Sequence, residues 1–507
     1  MSKSLVKQEW LAEAEYLEKP LFDTVDENIK YIKSIMGESF DLVTRTLEIS
    51  NEHQVIKIGL ILMEGLSDSH FVNNIVLRTM TEHYTNLNEK IKSKQIIKFF
   101  HHSLLTLSNV NVANTYGYLI NNLLNGDTII LIDGETEFFY VSTKGFKERS
   151  IEAPTNDISV KGSKESFTEN LATNVSLLRR RMRNPNLWIK RLVVGKKTNC
   201  NIAIVYIKGV TDESLIKEVE NRLNRQEIES VVDSSYIKHY LKETKHSIFP
   251  LMYDTERPDT VIGNLNEGRF AIIVDGSPFV LIAPCTFFHF LSSIEDYYNK
   301  SFVGSAFRII RYIAVVLALL LPGFYMCIVK FNSELLPINL MYSITGQRSN
   351  VPLTSDLEII LTLFAFDLLT EAGTRMPISV GTALSFVGAI VIGQAAVEAN
   401  LISSMMLIVV AVNGIGNLTI PNYDMSLTIK FLRYFILLFS LSFGLLGFTV
   451  SSFLLLIHLI SLRSFGKPYL YPLAPLTTAG FWDSIIIASL GKLLKRKNKE
   501  KLQNEKN

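Results

Sequence analysis

The sequence predicts an α+β cytoplasmic head of two α/β subdomains, followed by an α-helical, multi-span membrane domain of about four to five helices. Three observations carry this reading. A charge-rich half with alternating short helix and strand patterns gives way near Phe307 to a Gly-rich apolar half. The apolar half contains uncharged runs that reach the roughly 20 residues a spanning helix needs. Lys and Arg (51) nearly balance Asp and Glu (49), so bulk charge does not argue for nucleic acid, and the charge is informative only where it clusters. The expected organisation is an N-terminal arm (1–30), a first soluble subdomain (31–150), a second (151–285), an amphipathic linker (286–307), a membrane domain (308–465) and a cytoplasmic tail (466–507).

In the first subdomain, the runs 56–63 and 99–107 have the composition of apolar helices. The segments TIILI (128–132) and EFFYV (137–141) flank a DGET turn and predict a hairpin. In the second, Phe167, Leu171, Val175, Leu178 and Met182 fall on one helix face. A strand is expected at 201–207, a helix at 212–224 and a further short strand at 228–232. FAIIV (270–274) and FVLI (279–282) predict a second hairpin around DGSP.

Four uncharged runs in the apolar half are expected to span: 312–329, 376–397, 399–423 and 434–462. A fifth, 356–371, is shorter and carries Asp356, Glu358, Asp367 and Glu371. Each acid costs about 2.5 to 3.5 kcal/mol at the bilayer centre, so this segment reads as interfacial or packed against protein. Four spans put both ends on one side. The N-terminal stretch lacks the apolar h-region of a secretory signal, and the tail run KLLKRKNKEK (492–501) is basic, so both ends are expected in the cytoplasm. Arg308, Arg311 and Tyr312 read as an anchor before the first span, and Arg463 with Lys467 as a stop after the last.

The run 376–397 differs from its neighbours. Ser379, Thr382, Ser385, Ala389 and Gly393 form a stripe of small or hydroxyl residues at helical spacing, opposite Val380, Leu384, Val387 and Val391. Two readings stand open: close helix packing, or a pore lining in which several copies turn hydroxyls toward a shared water column. The second requires an oligomer, because one copy cannot enclose a channel. Just upstream, Asp367, Glu371 and Arg375 recur at i, i+4, with Glu before Arg in the favourable order. Pro377 follows at a helix start. This set reads as a structural clasp or an ion site, and Glu398 as a turn carboxylate or part of a charged vestibule.

Several motifs do not support enzymatic chemistry. VGKKT (194–198) has Lys190 where a phosphate-binding loop needs its first glycine, and no HExxH, zinc spacing or GxSxG elbow occurs. Cys200, Cys285 and Cys327 lie too far apart for CxxC chemistry and read as small buried residues, so neither a metal nor a cofactor is expected. The run Arg179, Arg180, Arg181, Arg183 reads as a solvated helix face or a contact for an acidic partner. No internal repeat or pair of broken helices of the kind that marks a secondary transporter is legible.

The ordered motifs resemble the A subunits of GerA-type spore germinant receptors over about 151–475. They include KGSKESFTENLATNVSLLRRR (161–181), FPLMYDTERPD (249–259), GRFAIIVDGSPFVLIAP (268–284), RIIRY (308–312), the EAG.R.P core of TEAGTRMP (370–377), IGQAAVEAN (392–400) and SFGKPYLYPLAP (464–475). Where that family commonly carries a Glu and an Arg before EAG, this chain has Asp367 and Thr370. The resemblance implies a non-enzymatic, multi-pass subunit of a nutrient receptor in the spore inner membrane. It implies a transporter-like B subunit and a lipoprotein C subunit as partners, and self-association, as a pentamer, into a germinant-gated cation channel. Two alternatives accompany that implication: a non-conducting scaffold of the germination complex, and an A-like paralogue associated with dipicolinate release.

Overall fold

The computed structural model describes residues 16–86, 96–97, 99–101, 110–145, 153–154, 157, 159, 161–225, 228–244, 247–375 and 393–476. Contacts group the chain into two compact units. One comprises Met1–Ser159, Ser163–Lys242 and Asp254–Pro284; the other comprises Val160–Gly162, Glu243–Tyr253 and Cys285–Asn507.

The first unit opens with helix α1 (Val25–Met36). Thr24 caps its N-terminus, Asp26 and Glu27 sit in the first turn, and Gly37 ends it at φ +69. Strands β1 (Leu42–Ser50), β2 (Val55–Met63), β3 (Val110–Ala113), β4 (Thr128–Ile132) and β5 (Phe138–Val141) form an antiparallel sheet in the order β1-β2-β4-β5-β3. Helices α2 (Arg78–Thr85), which continues a helical stretch that begins at Ser69, and α3 (Tyr116–Leu124) pack with the sheet. Ile61, Met63, Ile129 and Leu131 meet α1 and α3 on one face of the sheet. Ile58, Leu60, Ile130 and Ile132 meet Met80 and Tyr84 of α2 on the other.

This two-sided burial corrects the reading of 56–63 as a helix, since the segment is strand β2. A strand covered on both faces loses its polar alternation and becomes indistinguishable by period from a buried helix. Of the expected helix 99–107, residues 102–107 lie outside the described residues, while 99–101 are helical.

The second half of the unit repeats the pattern. Strands β6 (Leu187–Val194), β7 (Cys200–Ile207), β8 (Tyr253–Thr255), β9 (Phe270–Val274) and β10 (Val280–Ala283) lie in the order β6-β7-β9-β10-β8. Helices α4 (Leu171–Arg181), α5 (Glu213–Arg225), α6 (Ser234–Tyr240) and α7 (Pro258–Asn266) accompany them. The expected strand at 228–232 is irregular chain instead. Its carbonyls at Ile228 and Glu229 accept the Lys196 and Lys197 amides of the β6–β7 turn at 2.9 and 2.8 Å, so its backbone is satisfied outside any sheet.

The two halves share side-chain detail as well as strand order. The Asn28 side chain accepts the Phe22 amide (2.9 Å) and donates to its carbonyl (2.8 Å). Asn174 does the same with Thr168 (2.7 Å for the accepted amide). Asp133 Oδ1 accepts the Val25 amide at the start of α1 (3.0 Å), and Asp275 Oδ1 accepts the Leu171 amide at the start of α4 (3.1 Å). Gly134 and Gly276 donate to the carbonyls of Asp23 and Glu169 at 2.8 and 2.7 Å. The DG turns read as hairpin signals thus also cap a helix in each half. The unit is an internal repeat, which the sequence alone did not reveal.

The second unit is helical. Helix α8 (Ser301–Met326) continues through a π turn (Cys327–Phe331) and is followed by α9 (Ile338–Arg348), α10 (Ser355–Arg375), α11 (Ser404–Leu418) and α12 (Tyr423–Ser461). Among the described residues, Ser301–Phe331 and Tyr423–Ser461 are long and apolar enough to cross a membrane, and Ser404–Leu418 is a shorter apolar helix.

Helix α12 is not one rod. Gly444 adopts φ 58, ψ −139 inside it, and a Cβ added at Gly447 would fall 2.0 Å from the Phe439 carbonyl oxygen. The legs 423–443 and 445–461 therefore fold back on each other. The run 434–462, expected as a single span, holds parts of two antiparallel legs. Beyond α12, Arg463–Ser464 and Lys467–Pro468 form a small hairpin.

Candidate functional site

The site is built on α10, whose four acids are all engaged. Asp356 meets Lys330 Nζ at 2.6 Å, and Lys330 also donates to the Leu441 carbonyl (3.2 Å), one of the backbone acceptors left free where the first leg of α12 ends. Glu358, fully buried, accepts the backbone N–H (2.7 Å) and hydroxyl (2.6 Å) of Ser403, the residue that opens α11. Asp367 accepts a hydrogen bond from Arg433 and another from the Tyr434 hydroxyl (2.7 Å). Glu371 pairs with Arg375 at 2.7 and 2.8 Å on the exposed side. Charges in an apolar bundle are tolerated when paired in this way.

The Asp367 pair anchors a longer chain of bonds. Arg433, 1% exposed, also donates to the Asn413 side-chain oxygen, and the Asn413 amide donates to the Ala318 carbonyl. Four helices, α8, α10, α11 and α12, are thereby joined through one buried polar path. A turn further along, Lys430 Nζ donates to the Thr370 hydroxyl (3.2 Å). The space for the path comes from small residues: a Cβ at Gly416 would meet the Ala314 carbonyl at 2.8 Å, and one at Gly414 the Phe366 ring at 2.2 Å.

The expected residues fare differently. Glu371 and Arg375 form the ion pair that their spacing predicts, whereas Asp367, placed in the same series, turns to Arg433 instead. Glu398 is exposed and accepts from the Gln394 amide at 2.9 Å, and Gly393 is half-buried. Ser379, Thr382, Ser385, Ala389 and Pro377 lie outside the described residues. Sequence reasoning missed Arg433, Asn413 and Lys330. Asn413, a lone amide in an apolar run, and Arg433, at the edge of one, were the available signals. Arg308 and Arg311, expected as an anchor, share Asp296, which lies 3.5 Å from Arg308 and 3.0 Å from Arg311.

In the first unit, the arginine run is neither a solvated face nor a free patch. Arg179 is 1% exposed and holds Asp41 through Nε (2.7 Å) and Nη2 (3.2 Å) and the Ser39 hydroxyl through Nη2 (3.0 Å). It therefore ties the second repeat to the segment that leads into β1. Arg180 and Arg181 share Glu165, and Arg183 donates to Asn125 (2.7 Å). Burial would raise the Glu165 carboxyl, but hydrogen bonds and charge from Arg181 and Arg180 outweigh it and hold the group below the ordinary glutamate value. VGKKT forms the β6–β7 turn, with Gly195 at φ +95 and Lys197 paired to Glu229.

Comparison with known proteins gives these features a setting. The family model described as Bacillus/Clostridium GerA spore germination protein matches residues 30–499. Spore germination protein KA of Bacillus subtilis (strain 168) is 38% identical over 459 residues, 90% of this chain and 83% of that protein. Spore germination protein B1 of the same strain is 32% identical over 464 residues, covering 91% of this chain and 94% of its own. The crystal structure of the N-terminal domain of the A subunit of the Bacillus megaterium spore germinant receptor GerK3 aligns at 30% identity, covering 53% of this chain and 98% of that one, with a TM-score of 0.42. The matches to the family model and to these full-length relatives show that the chain belongs to the GerA family of spore germination proteins, as an A-type subunit.

Proposed function

We propose that this A-type subunit is a membrane-embedded, germinant-gated cation channel subunit that self-associates as a closed ring, a pentamer. It would work in the spore inner membrane with a transporter-like B subunit and a lipoprotein C subunit. In this reading Ser379, Thr382, Ser385, Ala389 and Gly393 line the pore, and Asp367, Glu371, Arg375, Pro377 and Glu398 set or gate the segment that carries them.

The observation that supports it is the Asp367–Arg433–Asn413–Ala318 path. It grips α10 on three neighbouring helices twelve residues before Ser379, the first residue of the hydroxyl stripe. An element gripped in this way has discrete packed arrangements, which is what ligand occupancy on a partner needs in order to bias an open against a closed state. The supply of polar partners inside an apolar bundle also accounts for tolerating Arg433 there.

The deciding experiment is Ser385→Phe in the full receptor, reading potassium release from germinant-treated spores and the amount of assembled A subunit in the membrane. Blocked release with normal assembly supports the pore. Normal release with normal assembly rejects it. Loss of assembly would move the stripe to a packing role and favour a non-conducting scaffold.

A further inference from the structure

The end of the helical unit that carries Lys330 holds a cavity of about 280 Å³, lined among others by Ser333, Leu336, Ile344, Thr345, Arg348 and Ser349. Arg348 is its unusual member. A guanidinium presents five N–H donors; the Arg348 Nε is fully buried with no hydrogen-bond partner among the described residues, while the side chain as a whole is 25% exposed. The nearest carboxylate oxygen, Glu358 Oε2, is 4.0 Å from that nitrogen, and the other oxygen of Glu358 is already taken by Ser403. Thr345 and Ser349 donate to the carbonyls of Met341 and Gly346, leaving the Ser333 hydroxyl and the Arg348 guanidinium as the donors along the wall.

The setting points to the kind of acceptor that would fit. The cavity sits just past the end of an apolar helix of spanning length, on a short connection whose apolar side chains face outward: Leu335 is 65% exposed, Ile338 67% and Tyr342 67%. Exposed aliphatic side chains with a tyrosine just past a spanning helix match the boundary between acyl chains and head groups. A guanidinium fork matches the geometry of a phosphate better than that of a single-point anion.

We propose that this cavity seats the phosphate of an anionic phospholipid, with Arg348 and Ser333 donating to its oxygens and Leu335 and Ile338 lying against its acyl chains. The Glu358 oxygen 4.0 Å away partly offsets the charge of Arg348, so recognition rests on hydrogen-bond donors as much as on net charge. The site lies at the opposite end of α10 from Asp367 and does not depend on channel activity.

The test is native mass spectrometry of the full-length chain, delipidated in detergent and titrated with phosphatidylglycerol. Arg348→Gln and Ser333→Phe, the latter filling the cavity without removing charge, should each weaken retention of one lipid by about tenfold or more. Excess inorganic phosphate should not displace it. Retention equal to the parent in both variants overturns the proposal. Displacement by inorganic phosphate also overturns it, since that would mark a free-phosphate site. Should Arg348→Gln fail to fold, Ser333→Phe decides alone, and undiminished retention there overturns the lipid assignment.

Discussion

Thr428 and Ser464 lie at either end of the longest apolar stretch of the chain, yet their hydroxyls donate to carbonyls three residues apart, Ile248 (3.0 Å) and Leu251 (2.8 Å). A continuous helix would separate the two donors by on the order of 50 Å, whereas the two acceptors can be no more than roughly 11 Å apart. The relation requires the chain to reverse between them, and Gly444 is where it does so. His458, near the end of the second leg, stacks toward Phe249 in the same short segment, 6.0 Å between ring centres.

The reversal predicts topology. Legs of about 30 Å and 25 Å can each cross a hydrocarbon core. In a chain with Cys200, Cys285 and Cys327 replaced, cysteines introduced as Leu446→Cys and Lys467→Cys should be labelled by an impermeant maleimide from opposite faces of the membrane. Labelling of both from one face would mean the hairpin dips in without crossing. Gly444→Ala should destabilise the chain whichever face is labelled. The backbone there is in a region reserved for glycine, and the new Cβ would meet the Phe331 ring at 2.9 Å.

The Asp367–Arg433 pair predicts an asymmetric response to mutation. Asp367→Asn removes the anionic partner of the buried Arg433 and should cost about 3–5 kcal/mol, read as a large fall in the melting temperature of the detergent-purified chain. The double variant Asp367→Asn with Arg433→Gln should be less damaged than the sum of the two singles. Strict additivity would show that the two groups do not interact.

A similar argument applies to Arg179 and Asp41 in the first unit. Both side chains are almost completely buried. Arg179→Leu should destabilise by about 3–5 kcal/mol by stranding the carboxylate, and pairing it with Asp41→Leu should restore part of the loss. Limited proteolysis offers an independent readout, with faster cleavage between α1 and β1 in the single variant. Parental cleavage kinetics in Arg179→Leu would argue against a tie at that point.

Glu165 gives the head a contribution that depends on pH. Its carboxyl is held below the ordinary value in the folded chain, so the unfolded chain takes up its proton first as pH falls. The contribution is complete above the unfolded value of about 4.3 and disappears as pH drops through the lower folded value. Thermal denaturation between about pH 6 and 3 should show a smaller acid loss in Glu165→Gln than in the parent. Equal slopes would show that Arg180 and Arg181 do not hold the carboxylate.

The legible parts of the chain were those governed by local rules. The hairpins at 128–141 and 270–283 were readable because DG turns interrupt short β-rich runs, and the apolar face of α4 because its spacing is helical. The Glu371–Arg375 pair was readable because i, i+4 neighbours on a helix must meet. Strand β2 was not, because helices cover both of its faces. Arg179 looked solvated because its partner, Asp41, is 138 positions away.

By itself the sequence determined the division into a charged α/β half and an apolar helical half, several strand and helix positions, and, through its ordered motifs, the family. Periodicity, turn chemistry and hydropathy act over a few residues and need no knowledge of what lies opposite. Only the tertiary structure decided that the head is one pattern used twice, that Asp367 answers to Arg433 and not to Arg375, and that one apolar run is two legs. Each of these depends on which distant segments satisfy a buried charge or a freed backbone group, and low-dielectric surroundings enforce that requirement only after the chain has folded.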